Sequence, residues 1–282
     1  MSINRNSENY DQITLKHLQR IQLMILKDFI EFCEKKDISY FAYGGTLLGA
    51  IRHHGFIPWD DDTDIIMMRS DYEKFVKEWE LEKNSKYSLF TLNNTKDYFL
   101  YLSKFSLNET EFREDWTRNT KFQLGISLDI FIFDDVPDNK FKRSIYYGKI
   151  KLIKIFLDMI RLDFNKVYPS KLKKFIIIMN RYFMKLFRID SDKFKKFYNN
   201  VVESNNNKGY SCVYENIAQT YTKSIPKEIL FPIKKVTFED IEINIPNDYD
   251  EFLTILYGDY MELPPVEDRK VHQHDYIDFG PY

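Results

Sequence analysis

Residues 59–68 read Trp-Asp-Asp-Asp-Thr-Asp-Ile-Ile-Met-Met, four carboxylates within five positions followed at once by an apolar run. Carboxylates this crowded repel one another, and the apolar run carries the segment straight into a core, so the cluster calls for a cation. In an extended segment, alternation places Asp60, Asp62 and Asp64 on one face and Asp61 and Thr63 on the other. An EF-hand loop also opens Asp-x-Asp-x-Asp, but it needs Gly at its sixth position and Glu at its twelfth. Here those positions hold Ile65 and Asp71. The Asp-x-Asp of metal-dependent glycosyltransferases, which holds Mn²⁺ or Mg²⁺ on a nucleotide-sugar diphosphate, stays open on this segment alone.

The surroundings narrow the chemistry. Gly44-Gly45-Thr46 closes a predicted strand and opens a helix sixteen residues before Asp62. A glycine pair lets backbone approach a phosphate, and the first amides of the helix offer donors at its positive dipole end. Further on, Asp129 stands isolated in the apolar strand Ile126 to Phe131, where a bare charge is costly to bury and should meet a metal or a base. Asp62, Asp64 and Asp129 converging on one or two Mg²⁺ ions (Mn²⁺ the alternative) would bridge a diphosphate and orient an attacking hydroxyl. Asp129 is the natural base for the acceptor proton, and Asp134 the alternative if Asp129 is tied to metal.

The elements that must position these residues read as α+β: a nucleotidyltransferase-like mixed sheet flanked by helices, with a basic helical insert. Leu18, Ile21, Ile25, Phe29 and Phe32 line one side of a helix over residues 12–35, ending at Asp37. Strands are predicted at 38–43, 62–68, 87–92, 98–107 and 124–133, and helices at 46–54 and 71–80. A hairpin (235–238 and 241–245) and a helix near 248–256 follow. The chain divides into a core with its N-terminal helix (1–139), the insert (140–205), and a C-terminal part completing the catalytic domain (206–282).

The whole chain nearly cancels its charge, with 41 Lys+Arg against 43 Asp+Glu in 282 residues, which argues against a nucleic-acid binder. A hydrophobic content of 44% excludes a disordered chain. Residues 140–196, however, hold 17 basic and 4 acidic residues, a net +13, leaving −15 on the remainder. Within that stretch Lys151, Lys154, Asp158 and Arg161 share one helix face and Ile150, Ile153, Leu157, Ile160 and Phe164 the other. After Pro169 a second helix sets Lys171, Lys174, Arg181, Lys185 and Arg188 against Leu172, Phe175, Met179, Phe183 and Leu186. Such helices either pack as a solvated layer on a core or meet anionic lipid. Cys33 and Cys212 lie far apart with no zinc-ligand spacing, which suits a reducing compartment. The N-terminal ten residues lack an apolar signal region, and the run Phe175 to Met179 is far shorter than the roughly 20 residues of a span. The expectation is a cytoplasmic protein, peripheral at the inner face of the membrane through its basic helices.

Three blocks together carry a family resemblance. Tyr43 to Ile65 (YGGTLLGAIRHHGFIPWDDDTDI), Ser127 to Pro137 (SLDIFIFDDVP), and Ile245 to Leu253 (IPNDYDEFL) with Tyr257 to Pro265 (YGDYMELPP) resemble the LicD family of phosphotransferases, related to the fukutin-type enzymes. The resemblance covers roughly residues 36–275. It implies transfer of a substituted phosphate from a CDP-activated donor, most often phosphocholine from CDP-choline, to a sugar hydroxyl of teichoic acid, lipopolysaccharide or capsule, with CMP released. CDP-glycerol or CDP-ribitol transfer is the alternative, and a glycosyltransferase the rival class. The glycan acceptor can be lipid-linked. By position, Asp62 and Asp64 match the family's metal-binding Asp-x-Asp and Asp129 its third carboxylate.

Several cations are placed to meet donor or acceptor. Arg52 matches the first block and either touches phosphate or pairs with Asp60 or Asp61; His53 is beside it. Lys104 stands where the family also tends to carry a basic residue, and either reaches the donor or is a solvated strand lysine. Arg269, Lys270, His272 and His274 follow Pro264-Pro265 and either close over a phosphate or form an exposed tail. The expected substrate contacts are Gly44, Gly45, Thr46, Arg52, Lys104, Arg269, His272 and His274.

Overall fold

The computed structural model describes residues 2–4, 11–82, 84–113, 117, 120–164, 168, 170–187, 191–215, 224–269 and 276–282. Along the chain, β1 (Ser2–Asn4) precedes helix α1 (Gln12–Lys35), β2 (Phe41–Ala42) runs into α2 (Gly44–His53), and β3 (Asp64–Met68) runs into α3 (Arg69–Glu82). Strands β4 (Tyr87–Phe90), β5 (Ser103–Leu107) and β6 (Glu111–Arg113) lead to the long β7 (Ser127–Val136). Helices α4 (Lys140–Phe164), α5 (Lys171–Leu186) and α6 (Ser191–Glu203) follow. The rest adds β8 (Cys212–Glu215), β9 (Ile225–Pro226), α7 (Lys227–Leu230), the hairpin β10 (Lys234–Phe238) and β11 (Ile241–Ile245), α8 (Tyr249–Tyr257) and β12 (Tyr276–Asp278).

The main sheet has the order β2-β3-β7-β5-β4, with β8 and β9 continuing beside the second half of β7. Strand β7 is its spine. Residues 129–133 pair in parallel with 64–68, residues 127–130 pair antiparallel with β5, and residues 133–136 pair antiparallel with β8. The parallel β3–β7 step needs a crossover, which α3, β4 and β5 supply. The sheet is therefore mixed, in the α+β class expected from the sequence. A separate antiparallel sheet, β1-β12-β6, ties the two ends of the chain together.

Both sheet faces are covered. Leu128 and Phe105 are register partners on one side, and Phe105 packs within 4.7 Å of Trp79, 5.9 Å of Phe29 and 6.1 Å of Phe75 between ring centroids, so α1 and α3 cover this face. Helix α1 is opened by Asp11, whose carboxylate accepts the amides of Ile13 and Thr14 at 2.9 Å each. Its stripe of Leu18, Ile25, Leu26 and Phe29 is fully buried, and burying each such side chain contributes about 1.5–3 kcal/mol. On the other side Phe131 lies 4.9 Å from Tyr43, and Phe133 lies 6.4 Å from Phe252 of α8.

A second, smaller core joins Tyr146, Ile150, Ile153 and Leu157 of α4 to Tyr198 and Val202 of α6 and to Leu92 and Val136 at the sheet end. The apolar face read for α4 is thus the one that packs. In α5 the buried residues are instead Ile177, Asn180 and Met184. The apolar side read from the sequence, with Leu172, Phe175, Met179, Phe183 and Leu186, is exposed. Other differences are local. Regular pairing in β2 is confined to two residues, α2 begins at Gly44 itself, and β3 begins at Asp64 because residues 60–63 carry no regular structure.

Asp134 is nearly fully buried, and the reason is structural. Arg69 donates from Nε and Nη2 to its two oxygens, 2.8 Å each, and Asn206 Nδ2 donates to Oδ1 at 2.7 Å. The buried carboxylate thereby ties β7 to the start of α3 and to the chain beyond α6. Removing one member of a buried pair strands the other charge, at a cost of about 3–5 kcal/mol. Asp134→Ala should lose stability on that scale in urea denaturation; a loss below about 1 kcal/mol would contradict the role given to the pair.

Candidate active site

Three strands build the centre of the site. The parallel register sets Asp64 of β3 beside Asp129 of β7, and the antiparallel register sets Lys104 of β5 beside Asp129 on its other flank. Residues in register point to the same face of a sheet. Asp64, Asp129 and Lys104 therefore form one row across it. Lys104, itself buried, donates to both oxygens of Asp129 at 2.8 and 2.9 Å, and the Ser127 hydroxyl donates to Oδ1 at 3.4 Å. The expected cost of a bare charge in this strand is met by an ammonium.

Backbone contacts hold the row in register. The Asp64 amide donates to Thr46 Oγ1 at 2.8 Å, the Tyr43 amide donates to the Asp64 carbonyl at 3.0 Å, and the Asp129 amide donates to the Thr63 carbonyl at 2.9 Å. The two glycines explain how helix α2 comes so close. Gly44 has a φ of +52°, and a Cβ there would stand 2.5 Å from Asp64 Oδ2; a Cβ on Gly45 would collide with Asp60 Oδ2. Only residues without a side chain let the positive end of the helix lie against these carboxylates.

The electrostatics follow from this crowding. Burial first, then the charges of Asp62, Asp129 and Asp60, push the Asp64 carboxyl well above its usual pKa, while Lys104 pulls it down. Asp62 and Asp60 thus act on the same carboxylate from the loop ahead of β3. That loop is held by α1. Gln19 Nε2 donates to the carbonyls of Asp60 (2.9 Å) and Ile57 (3.3 Å), and Gln22 Nε2 to that of Asp61 (2.6 Å). Sequence reasoning missed both glutamines. The signal was present: Gln22 falls four residues after Leu18 on the buried stripe of α1, where a polar side chain needs a partner.

A cationic edge adjoins the acidic loop. Arg52, in the last turn of α2, donates from Nη1 to the Tyr260 carbonyl at 2.7 Å and from Nε to His53 Nε2 at 3.0 Å. The Arg269 guanidinium lies 4.5 Å from the centre of the Trp59 ring, one residue from Asp60. Burial and then the Arg269 charge lower the Arg52 pKa; burial and Arg52 do the same to His53, which favours its neutral form. Arg52 and Arg269, 217 positions apart in sequence, are thereby near enough to repel.

Of the residues anticipated from sequence, Asp62, Asp64, Asp129, Lys104, Gly44, Gly45 and Thr46 gather at the row, and Arg52 and Arg269 come together beside the start of the acidic loop. Lys270, His272 and His274 lie outside the described residues. Asp134 is corrected as a base: alternation along β7 turns it to the opposite face from Asp129, and Arg69 occupies both its oxygens.

Among the described residues, no three of His, Cys, Asp and Glu are preformed as a metal site. The donor set nevertheless fits a hard divalent cation, being all oxygen and negative beyond what Lys104 balances, with Cys33 buried in α1 far along the chain. The Lys104 ammonium already stands as one cation in the row.

Comparison with known proteins gives the same direction. Residues 37–167 match the family model described as LicD/FKTN/FKRP, nucleotidyltransferase domain. The lipopolysaccharide cholinephosphotransferase LicD of Haemophilus influenzae is 32% identical over 277 residues, 94% of this chain and 99% of its own. An uncharacterised protein of Rickettsia typhi is 31% identical over 163 residues, 57% of this chain and 40% of its own. The aspartate row, its glycine-started helix and a likeness running nearly end to end place the chain in the LicD family of phosphotransferases.

Proposed function

We propose that this enzyme transfers phosphocholine from CDP-choline to a sugar hydroxyl of a lipopolysaccharide-type glycan, on the cytoplasmic side, and releases CMP. The observation that carries the reading is the row Asp64–Asp129–Lys104 beside the glycine start of α2. It joins carboxylates for a cation and a proton, an ammonium for phosphate charge, and backbone that a diphosphate can approach. The name of the Haemophilus influenzae relative supports phosphocholine as the group and lipopolysaccharide as the acceptor.

In the transfer, the acceptor oxygen attacks the phosphorus that bears choline, the bond from that phosphorus to the bridging oxygen breaks, and CMP leaves with the oxygen. Asp62, Asp64 and Asp129 are the residues that would hold Mg²⁺, or Mn²⁺ in its place. Such an ion supplies positive charge against the diphosphate and its leaving group. An Asp129 oxygen that Lys104 gives up to incoming phosphate is the one able to take the acceptor proton, the other remaining for the ion, since Asp134 faces away. Lys104 is shared between Asp129 and incoming phosphate, so its ammonium follows the negative charge. Arg52 and Arg269, held close despite repulsion, make an edge suited to an anionic group of the donor.

Offered CDP-choline, CDP-glycerol, CDP-ribitol and a UDP-sugar with Mg²⁺, the enzyme should consume CDP-choline and release CMP. Consumption of CDP-glycerol or CDP-ribitol in its place would reassign the transferred group, and of the UDP-sugar alone would make it a glycosyltransferase. Asp64→Asn should cut CMP release by at least about 100-fold. Because the change relieves carboxylate repulsion, its melting temperature in the absence of metal should stay level or rise. Turnover within a few-fold of wild type would remove Asp64 from the chemistry.

A further inference from the structure

Helix α5 turns its hydrophobic side chains outward. Leu172, Phe175, Ile176, Met179, Phe183 and Leu186 are 69, 62, 47, 51, 46 and 77% exposed. Lys171, Lys173, Lys174, Arg181 and Lys185 of the same helix are exposed beside them. Helix α4 lies against α5 through Phe156 and Phe183, whose rings are 6.4 Å apart, and adds exposed Leu152 and Ile155 next to exposed Lys149 and Lys151. Isolated apolar side chains are ordinary on a protein surface; a continuous run of large ones marks a face that something covers.

Charge decides what covers it. The segment 140–196 carries a net +13 against −15 on the rest of the chain. A second copy docking through the same face would bring two such segments together, because an isologous contact sets like against like. A partner offering negative charge at its surface and an apolar phase just beneath it satisfies both halves of the helix. That is the chemistry of an anionic bilayer, in which the Phe and Leu side chains enter the acyl boundary while the lysines reach the headgroups. No helix among the described residues is long and apolar enough to cross a membrane, so the contact lies in the plane of the interface.

We propose that α5, with the adjoining surface of α4, docks the enzyme on anionic lipid. The helices meet the sheet at Val136, seven residues along β7 from Asp129, a separation of about 23 Å at the usual strand rise. Substitutions on α5 therefore leave the acidic row untouched, and the proposal holds whichever group the enzyme transfers.

Co-sedimentation of the full chain with vesicles tests this without any donor. Mixed phosphatidylglycerol and phosphatidylcholine vesicles should carry the protein down at low ionic strength, and pure phosphatidylcholine vesicles should not. The triple reversal Lys171→Glu, Lys173→Glu, Lys174→Glu should weaken partitioning by about 100-fold, and the double change Phe175→Glu, Leu186→Glu by at least about 10-fold even at low salt. Both variants should keep the wild-type far-UV spectrum and melting temperature, since these side chains are exposed. Failure to sediment with the mixed vesicles, or sedimentation indifferent to both variants, would overturn the proposal. So would a lipid-free dimer that Phe175→Glu, Leu186→Glu dissolves, which would assign the face to a second copy.

Discussion

Carboxylates forced together near the floor of a sheet are the constraint around which the rest of this molecule is arranged. Asp64 and Asp129 are neighbours because β3 and β7 run parallel in register. Their repulsion is answered from several directions at once. Lys104 arrives from β5 on the opposite flank of Asp129, and the positive end of α2 comes close because Gly44 and Gly45 have no Cβ to hold it off. Gln19 and Gln22 of α1 hold the loop that carries the remaining aspartates. Each of these would be an odd use of a residue in a fold built for stability alone. Together they describe a site that stores negative charge, which the proposed cation and phosphate would balance.

Much of this was legible in the sequence because the signals were local. Four aspartates in five positions, a glycine pair at a strand end and an aspartate alone in an apolar run each announce a cost that chemistry must offset. The heptad-like stripe of α1 likewise fixed its buried face. What could not be read depends on pairing between distant strands. Lys104 was ambiguous until the β5–β7 register set it on Asp129, and Asp134 was a plausible base until alternation along β7 turned it toward Arg69. Short strands such as β6, β8, β9 and β12 left too little pattern to find, since two to four residues carry almost no periodicity. The exposed side of α5 stayed open for a different reason. Periodicity shows that a helix has an apolar face but not which of its residues meets the core.

The near-zero net charge of the chain is the sum of two opposed regions. An acidic body holds the row, and the basic helices α4 and α6 share a separate core at the far end of β7. Membership of the LicD family accounts for the first region: the family's first two sequence blocks carry the aspartates and the glycine start of α2. The second region is tied to the sheet mainly through one face of α4 and α6, which leaves α5 free to present both its lysines and its large apolar side chains.

The central claim is that the acidic row is completed by a divalent cation acting through Asp64. Titrating Mg²⁺ into the protein while following its melting temperature tests it most directly. The account predicts a saturable rise for the wild type and none for Asp64→Asn, whose row no longer carries the excess charge. A wild-type melting temperature that ignores Mg²⁺, or an equal rise in the variant, would contradict it.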